Sequence, residues 1–512
     1  MEMDIEKTTQ YEITPTFEPL QSPETLQDIN PFSKREKEAP ATESTILGQL
    51  IELVQPLDFH LLAFPELSKL SKEDREKQDK KVKERHLLIL SVENIQQLAI
   101  LYNWGLCKNG GFIYLYNGCY WVKLDKETLQ NFLGKVAEKQ GIQKFSARHY
   151  EFREKLLKQF FATGFLKTPD QPENRVLINL INGTFEITPT GTRLRPFNSE
   201  DFLTYQLPFE YNPIARAPMF EAFLNKVLPD KDLQKILCEF LGYIFIKTNF
   251  LKLEKALLLY GTGANGKSVV YDIVNALLGA MNVTSYSLEN LTDKAGYYRA
   301  MIAGKLVNYA SEINGKLETS FFKQLASGEP VEARLPYMEP FIIYDYAKLI
   351  FNLNELPREV EHTNAYFRRL LIIPFEVTIS EADQDKQLAK KIIETELSGV
   401  FNWVLEGLKR LLQNKKFTES QATDKAREAY KLESDSVALF INEMCYKPST
   451  KRPVLLKELY REYRAYCLED GNQPVKKQNF KKRLQGQGIV IEILNTGNNV
   501  MISNDGTPLH IG

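Results

Sequence analysis

A complete phosphate-binding loop, with the spacing G-x-x-x-x-G-K-S, lies near the middle of the 512-residue chain. An apolar run that predicts a buried strand precedes the loop, and an amphipathic stretch that predicts a helix follows it. Glycines at this spacing let backbone N–H groups surround phosphates, the lysine reaches the β and γ oxygens, and the hydroxyl can hold Mg²⁺ at the helix N-terminus. The loop therefore predicts a site for ATP and Mg²⁺ on Gly261, Thr262, Gly263, Ala264, Asn265, Gly266, Lys267, Ser268 and Val269.

Three later segments carry polar side chains that could complete a hydrolytic site. One strand-like run ends at Glu312, whose carboxylate could hold Mg²⁺ together with Ser268 and orient the attacking water. A second run ends at Asn354, an amide suited to sensing the γ-phosphate. Arg368 and Arg369 stand directly before a third apolar run, where a guanidinium could enter the site of a neighbouring subunit as an arginine finger. The sequence leaves open which arginine would do so.

Each of these three segments also has an ordinary structural explanation. An acid at the end of a strand is commonly a solvated cap, an Asn before Leu-Pro is a common turn signal, and paired arginines usually lie on the surface. The order and spacing of the segments after the phosphate loop favour the catalytic interpretation.

The ordered set of motifs resembles the superfamily 3 helicases of the phage and plasmid primase-helicase family, which are related to the poxvirus primase-helicase. That family has an Asn before Gly-Lys-Ser, here Asn265, and a strand that ends in Ser-Glu, here Ser311-Glu312. A strand that ends in Asn near a Pro follows, and then Arg-Arg before Ile-Pro-Phe. The resemblance implies an α/β fold with a P-loop, AAA+-like ATPase core, an N-terminal α+β domain, a helical collar and a C-terminal winged helix.

The resemblance also implies a hairpin that grips DNA between the second and third motifs. In this chain residues 323–341 resemble that hairpin segment, and Lys323, Arg334 and Tyr337 match its DNA-contacting positions. The chain departs from the family pattern in two places. Many members have two adjacent acids where this chain has only Glu312, and Arg334-Leu335 replaces a basic pair, which leaves fewer cations for phosphates.

The function implied by the resemblance is an ATP-dependent DNA helicase that replicates a phage, plasmid or other mobile element. It would move 3′ to 5′ on single-stranded or forked DNA. An arginine finger that enters the ATP site of a neighbouring subunit requires head-to-tail assembly, so a closed ring is expected. The resemblance implies that this ring is a hexamer. Two alternatives stay open. One is a nucleotide-switched, DNA-binding replication initiator with little motor activity, and the other is a P-loop kinase for a small molecule, which would need neither ring nor DNA.

The composition narrows the class of protein. The formal net charge is −1, so any affinity for DNA must come from local patches. The five cysteines form no C-x-x-C pair and the five histidines do not cluster with them, which argues against zinc and disulfides. No apolar run is long enough to cross a membrane, and the acidic start lacks the pattern of a signal peptide. A cytoplasmic protein without membrane contacts is therefore expected.

A local excess of positive charge marks the C-terminal part of the chain. Residues 451–483 contain ten Lys or Arg and four acids. Two helical patterns followed by an apolar strand pattern and a Gly-Asn-Asn turn predict a winged helix, whose second helix would recognise DNA. A solvated basic face is the ordinary alternative. The predicted phosphate contacts are Lys476, Lys477, Lys481, Lys482 and Arg483.

Composition and the resemblance together predict five parts of the chain: composition indicates the tail and the separate C-terminal part, and the resemblance implies the type of the N-terminal domain, the collar and the ATPase domain. The five parts are a disordered tail (1–44), an N-terminal α+β domain of primase-helicase type (45–215), a helical collar (216–250), an ATPase domain (251–417) and a winged-helix DNA-binding domain (418–512). Within the α+β domain, the step Asn182-Gly183 predicts a turn between two strands.

Primer synthesis is not expected, because a polymerising primase needs paired acids on a strand to hold two metal ions. The Asp-x-Asp pairs of the chain, Asp230/Asp232 and Asp383/Asp385, both lie in turn-like or helix-start contexts. The chain is therefore expected to lack a primase domain, and a separate primase or polymerase could act as its partner.

Overall fold

The computed structural model describes residues 43–69, 80–101, 105–109, 112–163, 175–311, 318–336, 339–357, 360–469, 473–495 and 497–504. The chain divides into two compact units, one within residues 1–106 and 127–164 and the other within residues 107–126 and 165–512. Most of the expected tail, residues 1–42, lies outside the described residues. Within the described part of the chain, no helix is both long and apolar enough to cross a membrane.

The first unit is helical in its described part. Helix α4 (Lys126–Lys139) shows why these helices pack. Its buried residues recur at helical spacing and form one apolar face that includes Leu129, Phe132 and Val136. An ion pair of 2.9 Å between Lys155 and Glu84 joins the last helix to the third. The helices are α1 (Glu43–Leu53), α2 (Phe59–Ala63), α3 (Glu84–Leu101), α4 (Lys126–Lys139), α5 (Lys144–Arg148) and α6 (Tyr150–Thr163).

Two small three-stranded sheets begin the second unit. The turn predicted at Asn182-Gly183 is confirmed, because Leu180 pairs with Gly183 across a tight hairpin. Gly183 has a φ of +142°, which favours glycine. One sheet contains β1 (Leu106–Asn109), β2 (Phe112–Tyr116) and β3 (Trp121–Leu124), and the other contains β4 (Val176–Leu180), β5 (Gly183–Thr188) and β6 (Gly191–Arg195).

A parallel sheet forms the centre of the second unit, so the fold is of the mixed α/β class. Its strand order is β13-β7-β12-β9-β8, and each neighbouring pair is parallel. Four of the strands are buried along most of their length, as expected when other elements cover both faces, whereas the two residues of the edge strand β8 are half-buried. They are β7 (Ala256–Tyr260), β8 (Val283–Thr284), β9 (Val307–Ser311), β12 (Lys348–Leu353) and β13 (Leu370–Pro374).

Helices and one hairpin surround this sheet. The hairpin is antiparallel, and it pairs Val331 with Ile343 and Ala333 with Phe341. Its strands are β10 (Val331–Ala333) and β11 (Phe341–Ile343). The helices are α7 (Pro218–Val227), α8 (Lys231–Tyr243), α9 (Lys267–Leu278), α10 (Leu288–Thr292), α11 (Tyr297–Met301), α12 (Thr319–Ser327), α13 (Asn364–Phe367), α14 (Leu388–Thr395) and α15 (Leu397–Asn414).

The elements on either side of residues 215 and 250, where the sequence analysis divides the chain, share hydrophobic contacts in this structure. Strands β4 and β5, helices α7 and α8 and the parallel sheet contribute to one hydrophobic core. Helices α8 and α15 pack so closely that a Cβ at Gly242 would come within 2.8 Å of the Leu408 backbone. The expected collar segment therefore shares its core with the sheet, because the apolar faces of α7 and α8 are buried against it.

The C-terminal segment combines four helices with a three-stranded sheet of order β14-β16-β15. Phe440, Tyr463 and Phe480 form the centre of its own hydrophobic core. The two helical patterns that the sequence analysis found in this part of the chain are confirmed as the helices Leu456–Glu469 and Lys477–Gly486. The elements are α16 (Gln421–Glu433), α17 (Ser436–Glu443), β14 (Tyr446–Leu455), α18 (Leu456–Glu469), α19 (Lys477–Gly486), β15 (Ile491–Leu494) and β16 (Gly497–Asn504).

Candidate functional site

The phosphate loop joins the buried strand β7 to helix α9, which confirms the predicted strand-loop-helix context. The loop needs its glycines. A Cβ at Gly261 would overlap the carbonyl oxygen of Phe375, and Gly266, at a φ of +88°, lies so close to Val227 that a Cβ would come within 2.8 Å of its side chain. Helix α7 and the end of β13 therefore close around the loop from two sides.

Lys267 lies at the start of α9 with only 6% of its surface exposed. Its Nζ donates to the carbonyl oxygen of Gly261 at 2.5 Å and to Oδ1 of Asn265 at 3.0 Å. Among the described residues, no carboxylate forms an ion pair with Lys267. Burial lowers the pKa of the Lys267 ammonium from its usual value. A cation held only by neutral oxygens retains an uncompensated charge, which favours the binding of an anion.

Asn265 positions both the loop and the lysine. Its Nδ2 donates to the carbonyl oxygen of Phe375 at 3.1 Å, just after β13, while its Oδ1 accepts from Lys267. The Asn265 side chain is buried, at 3% exposure. The amide thus links the loop to the neighbouring strand and fixes the direction of the ammonium group.

A buried amide below the loop was not among the residues predicted from the sequence. Asn352 lies in β12, paired with Leu259 of β7 and Ser311 of β9. Its Nδ2 donates to the backbone carbonyl of Lys267 at 3.4 Å, and its Oδ1 accepts from the hydroxyl of Tyr309 at 2.9 Å. The available signal was an asparagine inside the otherwise apolar run of residues 349–353.

The carboxyl ends of the parallel strands bring the other predicted groups to the loop. Ser311 at the end of β9 and Asn354 just after β12 both line the same cavity as Lys267 and Ser268. Asn354 is exposed there. Glu312, the predicted metal ligand and base, lies outside the described residues, so the structure gives it no contacts.

The cavity beside the loop has a volume of 750 Å³, within the usual range of about 300–1,000 Å³ for small-molecule sites. One part of its wall is apolar and comes from α7 and from residues 379–389. Ile379 donates its N–H to the carbonyl oxygen of Ala264 at 2.7 Å, which holds this second segment against the loop. The apolar part consists of Met219, Ala222, Phe223, Ile379, Leu388 and Ala389.

Charged residues lie around the same cavity. Lys226, Asp383, Asp385 and Lys386 line it, and Asp272 of α9 lines it as well. Burial raises the pKa of the Asp272 carboxyl above its usual value. The cavity wall was not predicted from the sequence, because it depends on contacts between α7, the loop and a segment more than a hundred residues later.

The two arginines of the Arg-Arg pair lie before β13, at the amino edge of the sheet, opposite the phosphate loop. Arg369 is buried, and it donates to Ser327 Oγ at 2.8 Å and to the carbonyl oxygen of Ala365 at 2.6 Å. Arg368 has 62% of its side chain exposed, and its Nη2 lies 3.0 Å from Glu254 Oε2. Neither arginine lines the loop cavity of its own chain.

The residues predicted to contact DNA in the hairpin segment have different surroundings. Lys323 on α12 forms an ion pair of 2.9 Å with Glu361. Arg334 is exposed directly after β10, and its backbone N–H donates to Gly296 at 3.2 Å. Tyr337 lies outside the described residues. The structure therefore places Arg334 at the hairpin and Lys323 on the helix before it.

The five basic residues predicted for the C-terminal segment lie at or on helix α19. Lys476, Lys477 and Lys482 are exposed, whereas Lys481 is half-buried. Arg483 differs from them, because its Nη1 lies 2.9 Å from Oδ1 of Asp435, the residue that caps the N-terminus of α17. Arg483 thus joins α19 to α17.

Family models match three parts of the chain. A model described as D5 N terminal like matches residues 99–229, and one described as Poxvirus D5 protein-like matches residues 432–487. This is a primase-helicase-like chain. A third model, for a family of unknown function, matches residues 259–369 of the primase-helicase-like chain. That third region contains the phosphate loop, Asn354 and the arginine pair.

A relative and two solved structures are similar to parts of the primase-helicase-like chain. A protein of Acanthamoeba polyphaga mimivirus, named "Putative helicase L207/L206", is 26% identical over 245 residues, which are 44% of this chain and 24% of that protein. The A form apo structure of the NrS-1 C terminal region is 12% identical, with a TM-score of 0.44 over 79% of this chain and 97% of that one. The structure of its residues 305–718 has a TM-score of 0.41, 12% identity and coverages of 80% and 98%.

Proposed function

We propose that the primase-helicase-like chain is an ATP-dependent DNA helicase that moves along single-stranded DNA as a ring during replication of a mobile genetic element. The observation that carries this proposal is the division of the candidate catalytic groups between the two edges of one sheet. The loop, Lys267 and Asn354 line a cavity at the carboxyl edge. Arg368 is exposed at the amino edge and does not line the loop cavity of its own chain, so as an arginine finger it would act in another subunit.

The residues of the cavity fit a nucleoside triphosphate with Mg²⁺. The glycine loop leaves space that a Cβ would fill, and Lys267 is buried without a carboxylate partner among the described residues. The apolar wall from α7 and residues 379–389 would hold the base, and Ser268 with Glu312 would hold the metal ion. When bound, ATP with Mg²⁺ would supply the phosphoanhydride bond whose hydrolysis drives movement.

Each side chain then has a defined task in the proposed mechanism. Lys267 would stabilise negative charge on the β and γ oxygens. Asn265 would keep the ammonium group of Lys267 directed into the cavity. Glu312 would orient or deprotonate the attacking water, and Asn354 would hydrogen-bond the γ-phosphate. Arg368 of a neighbouring subunit would complete the site, whereas the buried Arg369 would support the fold of the amino edge.

The proposed architecture follows the same assignment. The parallel sheet with its loop would be the P-loop, AAA+-like core of a superfamily 3 helicase, and the segment from α17 to β16 would be a winged helix. Phosphates of DNA would be contacted by Lys476, Lys477, Lys481 and Lys482. Arg334, at the hairpin, would contact DNA together with Tyr337. Arg483 would support the recognition helix through Asp435, so its substitution would disturb folding as well as DNA binding.

The experiment that tests the proposal is ATP hydrolysis by the full chain with and without single-stranded DNA. We expect DNA to stimulate turnover, and we expect Lys267→Ala to lower it by about 10²-fold or more, because a preorganised cation is lost. Lys235→Ala is the matched control, since Lys235 is exposed on α8 and pairs with Asp232. Nucleotide binding with tight duplex binding but no stimulated turnover would instead identify a nucleotide-switched initiator.

A further inference from the structure

A second cavity, of 300 Å³, lies in the second unit near the amino ends of strands β9 and β12. Its wall combines strands of the two small sheets, residues 201–205, residues 244–248, residues 303–306 and the segment from β11 to β12. None of its lining residues lines the phosphate-loop cavity. The second cavity is therefore separate from the site proposed for ATP hydrolysis.

Three lysines line this cavity, and none of them forms an ion pair with a carboxylate in the described part of the chain. Lys348 Nζ donates to Thr248 Oγ1 at 3.2 Å and lies 4.4 Å from the centre of the Tyr243 ring. Lys305 Nζ donates to the carbonyl oxygen of Met281 at 2.6 Å. The Lys247 side chain has no hydrogen-bonded or ion-paired partner among the described residues. The hydrogen bonds of Lys305 and Lys348 are thus made to neutral groups, while the nearby charge of Asp345 acts on Lys247 and Lys348.

The acids of the cavity wall do not balance these lysines. Asp201 is held by Arg195 at 2.7 Å. Arg175, which also lines the cavity, is held by Glu186 at 2.9 Å. Asp345 is then the remaining carboxylate among the lining residues, and it forms no ion pair in the described part of the chain. Three cations facing one carboxylate leave an excess of positive charge on the wall.

Burial makes this excess energetically costly. It lowers the pKa of Lys348 to about 8 and lowers the pKa of Lys247 and of Lys305 from their usual values. The pKa of nearby Lys123 falls to about 8 through burial and through repulsion from Lys305. A bound anion would relieve both effects, because an opposite charge favours the protonated form of each lysine.

Aromatic side chains form much of the remaining wall. Phe112, Tyr114, Phe202, Tyr205 and Phe245 line the cavity, and Tyr114 lies 5.4 Å from Phe202 between ring centres. A wall of aromatic rings beside ammonium groups combines a surface for a planar base with cations for a phosphate. The volume is at the lower end of the range of about 300–1,000 Å³ that small molecules occupy in proteins.

We propose that this cavity is a second binding site for a phosphate-bearing ligand of mononucleotide size, held by Lys247, Lys305 and Lys348. The site goes beyond the proposed helicase function, because it needs neither the phosphate loop nor a neighbouring subunit. A ligand there contacts residues directly before β9 and in β12, the strands that carry Ser311 and Asn352 to the loop cavity.

The first test measures binding of AMP and of inorganic phosphate to the full chain carrying Lys267→Ala, by isothermal titration calorimetry. This background weakens the loop site, and AMP lacks the β and γ phosphates that Lys267 would contact. We expect AMP to bind, and we expect Lys247→Met with Lys348→Met to weaken it by about tenfold or more, the effect of losing charged hydrogen bonds. Lys235→Met is the matched control and should leave AMP affinity unchanged.

The second test covers the case in which the double variant does not fold. Acylation of lysines in the Lys267→Ala chain is mapped by mass spectrometry with and without AMP. Protection of Lys247 and Lys348, with Lys235 modified equally in both samples, supports the site.

The proposal is overturned if AMP neither binds nor protects these lysines at millimolar concentration. It is also overturned if only a single-stranded oligonucleotide protects them, because the cavity would then contact a strand. Loss of ATP hydrolysis in Lys267→Ala leaves both readouts intact, so failure of the helicase proposal is distinguished from failure of this one.

Discussion

The cationic side chains at the two edges of the parallel sheet have different partners. At the carboxyl edge, Lys267 is surrounded by neutral oxygens from Gly261 and Asn265. At the amino edge, Arg368 and Arg369 share the carboxylate of Glu254, at 3.0 and 3.6 Å. A cation among neutral acceptors is ready to bind an anion. A cation that already has a carboxylate must exchange that partner before it can act elsewhere.

This difference predicts how each edge would be used. The carboxyl edge provides a preorganised site whose charge is fixed by buried hydrogen bonds, so it should work within one subunit. At the amino edge, Arg368 is exposed and Arg369 is buried. We therefore expect Arg368 to be able to change its partner and Arg369 to stabilise the fold. The comparison therefore separates what a single chain supplies from what a neighbour must supply.

Mixing subunits gives the largest expected effect. Arg368→Ala alone should lower DNA-stimulated ATP hydrolysis by about 10³-fold or more, as for other arginine fingers. An equimolar mixture of Arg368→Ala and Lys267→Ala chains should regain about a quarter of the wild-type rate, because random assembly pairs an intact loop with an intact finger at that frequency. The rate is measured after co-refolding or prolonged subunit exchange.

Two controls sharpen the mixing experiment. An assembly made only of chains that carry both Arg368→Ala and Lys267→Ala should stay inactive. Arg369→Ala should instead lower the thermal midpoint, because it removes buried hydrogen bonds to Ser327 and Ala365. If the mixture stays as inactive as its components although native gels show mixed assemblies, Arg368 does not act in a neighbouring subunit and the comparison between the two edges fails.

The buried amide below the loop gives an intermediate effect. Asn352→Leu leaves the hydroxyl of Tyr309 buried without its acceptor, since Tyr309 has no exposed surface. We expect a thermal midpoint lower by roughly 2–10 °C, because an unsatisfied buried hydroxyl costs about 1–3 kcal/mol. We also expect a higher KM for ATP, because Asn352 supports the backbone of Lys267.

A double substitution tests whether this effect comes from the hydrogen bond. Tyr309→Phe removes the hydroxyl and should cost less than Asn352→Leu. The combination of both substitutions should be more stable than the sum of the single effects predicts, because both polar partners are then replaced by apolar groups. Additive changes in the thermal midpoint would show that Asn352 acts through packing alone.

The sequence was sufficient for features that depend on neighbouring residues. Strand β7, the glycine loop and helix α9 follow from apolar runs and glycine spacing, and strands β9, β12 and β13 from three further apolar runs. The Asn182-Gly183 turn follows from the conformational freedom of glycine. Each of these patterns is contained within about ten residues, so local physical rules decide it.

Features that depend on distant residues were not predicted. The apolar wall of the loop cavity requires α7 to pack beside residues 379–389, and the second cavity is lined by six separate segments. The sequence could not distinguish the roles of Arg368 and Arg369, because the two residues are adjacent and have the same side chain. The structure distinguishes them, since Arg369 donates hydrogen bonds to Ser327 and to the carbonyl oxygen of Ala365. Long-range packing decides these points, and no short sequence pattern records it.

The smallest predicted effect tests whether the C-terminal segment helps to shape the carboxyl edge. Tyr430 of α16 is buried, and its hydroxyl donates at 2.8 Å to the carbonyl oxygen of Pro357, three residues after Asn354. Tyr430→Phe keeps the aromatic ring and removes this hydrogen bond, which is worth about 1 kcal/mol. We expect kcat to fall by up to about fivefold, because the Asn354 segment loses a fixed point.

Tyr366→Phe is the matched control for this last variant. The Tyr366 hydroxyl lies 3.4 Å from that of Tyr430 in the same buried cluster, but it does not contact Pro357. Its loss should therefore leave the Pro357 hydrogen bond and kcat nearly unchanged, while the thermal midpoint reports any general loosening of the cluster. Equal values of kcat for the two variants would mean that α16 stabilises the fold without positioning Asn354, and the carboxyl edge would then be shaped by the sheet and the loop alone.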